Sequence, residues 1–92
     1  MIKSFRSKDA EALFLGRVNR RFTNVARVAQ RKLHQLAAAR ALSELTVFPG
    51  NRLERLFGDR SGQYSIRIND QLRICFRWNE GDAYDVEIID YH

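Results

Sequence analysis

Residues 64–78 read YSIRINDQLRICFRW, two runs of alternating side chains separated by a polar turn. In each run every second residue is apolar, a period of two that is typical of a strand with one buried face. Both apolar sets must reach the same core, so the register is constrained. A two-residue loop would pair Ile66 with Arg73 and mix the faces. A three-residue loop, 69–71, pairs Ile66 with Ile74, so the pattern predicts an antiparallel hairpin of that register.

The predicted register sets Arg67 directly opposite Arg73. Like charges across a strand pair destabilise a hairpin by roughly a few tenths of a kcal/mol. An anion shared between the two guanidinium groups would relieve this repulsion. One hypothesis is therefore that Arg67 and Arg73 lie on a phosphate-binding face of the sheet, and the alternative is a solvated pair whose side chains splay apart.

The chain before Pro49-Gly50, a strong turn signal, has helical periodicity. A helix beginning at Thr23 or Asn24 is predicted, since apolar residues recur there at steps of three and four. This stripe consists of Val25, Val28, Ala29, Leu33, Leu36 and Ala37, and Arg27, Arg31 and Arg40 lie off it.

Elements at both ends complete the predicted fold. Residues 2–5 suit a short first strand, Ser7 or Asp9 can cap a first helix, and residues 84–89 suit a last strand. The predicted class is α+β, with an N-terminal strand and two helices packed on a twisted antiparallel β-sheet. The other sheet face, bearing the arginines, is expected to be left for water or a ligand. Residues 1–92 are interpreted as one domain.

The charge is strongly uneven along the chain. The net charge is +5, and 13 of the 16 basic residues are arginine, whose planar fork matches phosphate and stacks on bases. Residues 1–40 carry +8, whereas residues 78–92 carry −5. This separation favours a polyanionic partner on one surface, although a solvated basic helix face remains the alternative.

Composition also limits the compartment and the cofactors. The single cysteine, Cys75, has no partner for an internal disulfide, which fits a reducing cytoplasm, and it is expected to be packed rather than nucleophilic. No apolar run has transmembrane length, so no membrane association is expected. No Cys, His or Asp cluster has ligand spacing, so neither a metal nor another cofactor is predicted.

The last three residues, Asp90-Tyr91-His92, are an acceptor, a donor and a group that titrates near neutrality. They follow directly on the predicted last strand. By themselves they fit an ordinary polar strand end as well as a site for proton transfer.

An ordered set of segments resembles HigB-type toxins of the RelE/ParE superfamily, from bacterial type II toxin–antitoxin systems. The segments are 1–5, 49–54, 58–67, 69–76 and 90–92. The resemblance implies a RelE-like fold and a ribosome-dependent mRNA endonuclease that cuts the codon in the A site. It also implies a HigA-like helix-turn-helix antitoxin, with operator DNA bound only through the antitoxin complex.

The resemblance also implies which residues form the site. The family's C-terminal acid, aromatic and histidine fall on residues 90–92, and its sheet arginine falls on Arg73. Some relatives carry a histidine where this chain has Glu54 and a lysine where it has Phe57. Glu54 is therefore a candidate replacement for the base, unless the base lies entirely at the C-terminus.

Cleavage through the ribose 2′-OH needs a base, an acid and cations. Each residue of the implied site is therefore assigned a role in that reaction. Arg73 would stabilise charge, helped by Arg67 and Arg52, and His92 would be the titrating group, as acid or base. Asp90 would orient His92 or raise its pKa, Tyr91 would stack on a base or donate a hydrogen bond, and Glu54 would be a second proton carrier. Ribosomal RNA phosphates are assigned to Arg27 and Arg31.

Two other functions remain open on the sequence. A ParE-like gyrase poison would need no nuclease site. A non-catalytic RNA-binding or partner-binding module could stack bases on Tyr64 and Trp78. Both aromatics fall on the apolar side of the predicted hairpin, where core packing is the simpler expectation.

Overall fold

The computed structural model describes residues 1–17 and 20–90. Its centre is a four-stranded antiparallel sheet whose strands follow chain order. The strands are β1 (Glu54–Arg55), β2 (Gln63–Arg67), β3 (Leu72–Asn79) and β4 (Asp82–Asp90). Helices pack on one face of this sheet, so the α+β class is confirmed.

The β2–β3 hairpin has the predicted register. Ile66 lies opposite Ile74, both fully buried, and Arg67 lies opposite Arg73. The side-chain oxygen of Asn69 accepts from the amides of Gln71 (2.9 Å) and Leu72 (2.7 Å). This side-chain turn closes the three-residue loop, so local hydrogen bonding and core packing select the same register.

β4 contains a bulge opposite β3. Cys75 pairs with Glu87, but Arg77 pairs with Tyr84, so β4 carries one extra residue between them. Asp85 takes the left-handed conformation there, with φ of 53°, and its amide donates to the hydroxyl of Ser4 at 2.8 Å. The bulge thus fixes the N-terminal segment against β4.

The predicted N-terminal strand is present only as two isolated parallel bridges, Ile2 to Ala83 and Phe5 to Val86. Ala83 and Val86 of β4 each make backbone hydrogen bonds to the N-terminal segment in both directions, and Asp85, at the bulge, lies between them. The first helix, α1 (Lys8–Phe14), begins as predicted: the Ser7 hydroxyl accepts from the Ala10 amide at 3.1 Å.

The second helix, α2 (Ala26–Ala38), begins later than predicted. Its N-cap is Val25, without a side-chain cap, so a start at Thr23 or Asn24 is wrong. The Thr23 hydroxyl donates to the carbonyl of Arg20 at 3.3 Å, which closes a 3₁₀ turn over Arg20–Phe22 instead of capping α2. Local turn formation therefore competes with the cap.

The stripe of α2 packs on the apolar face of the hairpin. Fully buried residues from both elements form this core: Ala29, Leu33, Leu36, Ile66, Ile74 and Phe76. Tyr64 and Trp78 are partly buried against Phe76, with ring centroids 6.2 Å away in each case, so the core-packing expectation for both is confirmed.

A third, one-turn helix, α3 (Leu42–Leu45), follows α2 and precedes the turn at Pro49-Gly50. The carboxylate of Glu44 accepts from the amides of Arg40 (2.8 Å) and Ala41 (3.0 Å). Leu45 is fully buried, and this burial with the capping carboxylate stabilises so short a helix. None of the helices within residues 1–17 and 20–90 is long and apolar enough to cross a membrane.

Candidate active site

The guanidinium of Arg73 is held by three neighbouring segments. Its Nε donates to the Ser65 hydroxyl at 2.7 Å and one terminal nitrogen donates to the carbonyl of Arg52 at 2.5 Å. The same nitrogen lies 3.8 Å from a carboxylate oxygen of Glu54, and the side chain is only 12% exposed. The structure thus brings together three of the predicted residues, Arg73, Arg52 and Glu54.

The loop before β1 supplies the carbonyl that orients Arg73. Gly50 has φ of 87°, and Arg52 has φ of 44°, a conformation that non-glycine residues rarely adopt. The amide of Arg67 donates to the carbonyl of Asn51 at 2.6 Å, which ties the loop to the end of β2. Arg52 therefore contributes its backbone to Arg73 while its own side chain is exposed.

Arg67 lies across from Arg73 but uses a different acceptor. Its guanidinium pairs with Asp70 in the hairpin loop, whose side chain is 96% exposed. The two forks therefore point to separate protein groups, as in the splayed alternative considered for the sequence. The Arg67 side chain is 27% exposed, and solvent around Asp70 weakens the ion pair relative to a buried one.

The arginine-bearing face is not fully open, and the expectation that it is left for water or a ligand is wrong at its centre. Ser65 and Cys75 on this face are both fully buried. The Arg73 side chain lies on Ser65, and beside Cys75 the Glu87 carboxylate is within 3.4 Å of Arg60 and 3.7 Å of Arg6. Exposed charge remains at the ends of the strands, and the expectation that Cys75 is packed is confirmed.

Asp90 lies at the same end of the sheet as Arg73 but on the other face. It pairs with Leu72, one residue before Arg73, and successive side chains of a strand alternate between faces. Its carboxylate accepts from the Gln71 side chain at 2.8 Å. Tyr91 and His92, the other two residues of the predicted C-terminal group, lie outside the described residues.

Arg27 and Arg31 are exposed on α2 and lie apart from the hydrogen bonds that hold Arg73. They form a basic helix surface, as the pattern of α2 predicts. No three His, Cys, Asp or Glu side chains in the described part of the chain are grouped so that they could hold a metal ion.

Lys32 is a buried cation that the sequence reasoning missed. The residue is 5% exposed, and its Nζ donates to the carbonyl of Gly50 at 3.3 Å and to the carbonyl of Arg67. Burial lowers the pKa of Lys32, and the charges of Arg31, Arg67 and Arg73 lower it further. The available signal was its position three residues after Ala29 and beside Leu33, within the apolar stripe.

Asn51 adds a second buried polar side chain next to this group. Its Nδ2 donates to the carbonyl of Leu45 at 3.0 Å and to the side chain of Gln35 at 3.3 Å. Its Oδ1 is buried and has no hydrogen-bond partner among the described residues. The loop 50–52 is thus bound from α2, from α3 and from β2, and the cations near it suit the stabilisation of an anion.

Comparison with known proteins finds similarity along the full length of this chain. The family described as HigB-like toxin, a RelE-like toxin of the type II toxin–antitoxin system HigB, matches residues 3–92. The Endoribonuclease HigB of Proteus vulgaris is 35% identical over 96 residues that cover all of both chains. Toxin HigB-1 of Vibrio cholerae is 51% identical over 53 residues, and the match covers 58% of this chain and only 56% of that protein.

Solved structures share the fold at low identity. A chain from the heterotetrameric YoeB–YefM toxin–antitoxin complex of Staphylococcus aureus aligns over 100% of this chain and 98% of its own length. The TM-score is 0.61 with 17% sequence identity. Since so low an identity supports the fold alone, membership rests on the sequence matches. This chain belongs to the HigB-like family of RelE-like toxins from type II toxin–antitoxin systems.

Proposed function

We propose that the protein is an endoribonuclease that inhibits translation by cleaving mRNA in the ribosomal A site. The observation that carries this proposal is the Arg73 guanidinium, only 12% exposed and oriented by Ser65, Arg52 and Glu54 at one end of the sheet. A cation held in advance of the reaction stabilises developing negative charge without reorganisation. The full-length similarity to the Proteus vulgaris protein, whose name is Endoribonuclease HigB, supports the same activity.

In the proposed reaction, the ribose 2′-oxygen forms a bond to the adjacent phosphorus and the bond from phosphorus to the 5′-oxygen breaks. A base removes the 2′-hydroxyl proton and an acid delivers a proton to the 5′-oxygen, which leaves a cyclic phosphate and a free 5′-hydroxyl. Arg73 stabilises the charge on the phosphoryl oxygens. Arg67 assists by exchanging its exposed partner Asp70 for phosphate, and the exposed Arg52 side chain supplies a further cation.

The proton carriers are assigned to His92 and Glu54. Glu54 is suited to the role because its carboxylate is 57% exposed and lies beside Arg73. His92 is the group whose ordinary pKa lies nearest neutrality. Asp90 and Tyr91 are assigned to orienting His92 and to contacting a base. The proposed cleavage uses no metal, since the reaction needs only these acids, bases and cations.

The proposed partners are the ribosome, through its RNA and the mRNA in its A site, and a HigA-like helix-turn-helix antitoxin. Operator DNA is contacted only through the antitoxin complex, and the protein acts in the cytoplasm. The similar Staphylococcus aureus fold, described as part of a toxin–antitoxin complex, supports an antitoxin partner. The exposed arginines of α2, Arg27 and Arg31, are assigned to ribosomal RNA phosphates.

The proposal is tested by expressing the protein without an antitoxin and mapping the ends of ribosome-bound mRNA. The parent should arrest growth and produce cuts within A-site codons. Substituting Arg73→Ala, or deleting His92, should abolish both effects while ribosome binding persists. Arrest without cuts would support a ParE-like poison of gyrase, and an unchanged arrest in both variants would refute this site assignment.

A further inference from the structure

Lys32 joins two segments that carry the proposed active site. Its ammonium donates to Gly50, in the loop that leads to Arg52, and to Arg67, at the end of β2. The loop and β2 are also joined directly, from the Arg67 amide to the carbonyl of Asn51 at 2.6 Å. Lys32 therefore binds the junction between loop 50–52 and the end of β2, the two segments that also supply the acceptors of Arg73.

Stability alone is a poor explanation for a cation at this position. Lys32 lies on the apolar stripe of α2, next to the fully buried Leu33, where an apolar residue would pack without desolvating a charge. Burying an ammonium costs free energy unless hydrogen bonds compensate for it. The neighbouring charges are arginines, which disfavour the ammonium further. The two hydrogen bonds are the direct compensation that the described residues show.

Each carbonyl that Lys32 binds lies two residues from an acceptor of Arg73. The carbonyl of Arg52, two residues after Gly50, accepts from the Arg73 guanidinium. Ser65, two residues before Arg67 on β2, accepts from Arg73 Nε. A displacement of Gly50 or Arg67 would therefore move one or both acceptors, and small errors in the position of a catalytic group reduce rates strongly.

We propose that Lys32 is a positioning residue: by holding Gly50 and Arg67 together, it fixes the two acceptors that orient the Arg73 guanidinium. This inference rests on the proposed function for its effect on RNA cleavage. Its structural part, the ordering of Arg73, holds independently of the reaction. The ammonium itself is buried and does not contact the substrate.

The first test measures Arg73 directly. The Nε–H signal of Arg73 in the NMR spectrum, assigned by its loss in Arg73→Lys, should be protected from solvent exchange in the parent. Substituting Lys32→Met should remove the protection. The control is Leu33→Ala, which destabilises the same helix without touching the loop, and it should keep the protection. Protection that persists in Lys32→Met overturns the inference.

The second test is a double-mutant cycle on cleavage of ribosome-bound mRNA. Lys32→Met should lower the maximal rate by about tenfold to a hundredfold, with little change in the half-saturating concentration. Arg73→Ala should then cost far less in Lys32→Met than in the parent, whereas in Leu33→Ala it should keep its full cost. Additive losses in Lys32→Met overturn the inference.

The two proposals fail in different ways. A parent protein with a protected Arg73 signal but no cleavage would refute the proposed nuclease activity. The comparison of Arg73 protection between the parent and Lys32→Met would still decide whether Lys32 positions Arg73. If Lys32→Met does not fold, Lys32→Ala, which also removes the ammonium, replaces it in both tests with the same expected results. Full rate and full protection in that variant would overturn the inference.

Discussion

The arginines of the β2–β3 hairpin and those of α2 have the same charge but stand in different environments. Arg73 is 12% exposed and has fixed acceptors on three segments, whereas Arg27 and Arg31 are exposed on a helix surface. A fixed, partly desolvated cation suits the stabilisation of charge during a reaction. Exposed arginines suit binding that depends on salt and tolerates small displacements. On the proposed function, the position of an arginine in the fold therefore decides whether it serves the reaction or the binding of RNA.

The largest expected effect comes from removing the fixed cation. Arg73→Ala should lower cleavage of ribosome-bound mRNA by about 10²–10³-fold, the usual cost of losing one preorganised charge-stabilising group. Arg73→Lys should recover only part of this, since an ammonium cannot reach Ser65 and Arg52 together as a fork does. Single-turnover cleavage rates measure both.

Arg77→Ala is the matched control, because Arg77 is an exposed arginine of the same strand, 3.6 Å from Asp85. It should cleave at nearly the parental rate. Equal losses at both positions would mean that total charge, rather than the orientation of Arg73, determines activity.

The next effect concerns the helix surface. Substituting Arg27→Glu and Arg31→Glu together reverses two charges and should weaken ribosome binding. The slope of log affinity against log salt should decrease in magnitude by about 1.4–1.8, as expected for the loss of two phosphate contacts. Cleavage at saturating protein should remain close to parental. Co-sedimentation with ribosomes over a salt series measures the slope.

The control for that experiment is Lys3→Glu with Lys8→Glu, which makes the same charge change on exposed residues of the N-terminal segment and α1. Its slope should change less. If both double variants lose binding equally, the helix surface has no special role and only the net charge of +5 matters.

A smaller effect is expected from the acceptor beneath Arg73. Ser65→Ala removes a buried hydroxyl that accepts from Arg73 Nε at 2.7 Å, and it should lower the free energy of unfolding by about 1–2 kcal/mol. Cleavage should fall less than in Arg73→Ala, because Arg52 still accepts from the guanidinium. Urea unfolding and cleavage rates test this, and the exposed Ser61→Ala should change neither.

The smallest expected effect is a pH dependence from Lys32. Its pKa in the folded state is lowered from 10.5, mainly by burial. Between the folded-state pKa and 10.5 the unfolded state holds more protons, so the stability contributed by this group rises with pH and is lost as pH falls through the folded-state pKa.

The difference in free energy of unfolding between the parent and Lys32→Met should accordingly shift in favour of the parent as pH rises from neutral towards 10.5. Urea titrations across this range measure the shift. The exposed Lys8→Met should show a constant difference from the parent, and a constant difference for Lys32→Met as well would contradict the lowered pKa.

The features that were predictable are those encoded by local pattern. The alternation in residues 64–78 predicts both the hairpin and the placement of Arg67 opposite Arg73, because a one-residue slip would put Ile66 and Ile74 on opposite faces and expose one of them. The start of α2 was predicted wrongly because Thr23 has two local options, a cap and a 3₁₀ turn, and the pattern does not rank them. The short helix α3 depends on the burial of Leu45, and local helix propensity does not predict that burial.

The positions of the hairpin arginines were predictable from the sequence, and their environments were not. Arginine in alternation on two strands indicates a phosphate-binding face, and the ordered segments indicate the toxin family. Whether a guanidinium is pinned or splayed depends on groups far away in the chain: Arg73 reaches Arg52, and Lys32 reaches Arg67. The amino-acid sequence by itself determined the fold class, the hairpin register and the basic character. Only the tertiary structure decided which cations are buried and oriented, because burial and hydrogen bonding arise when distant segments meet.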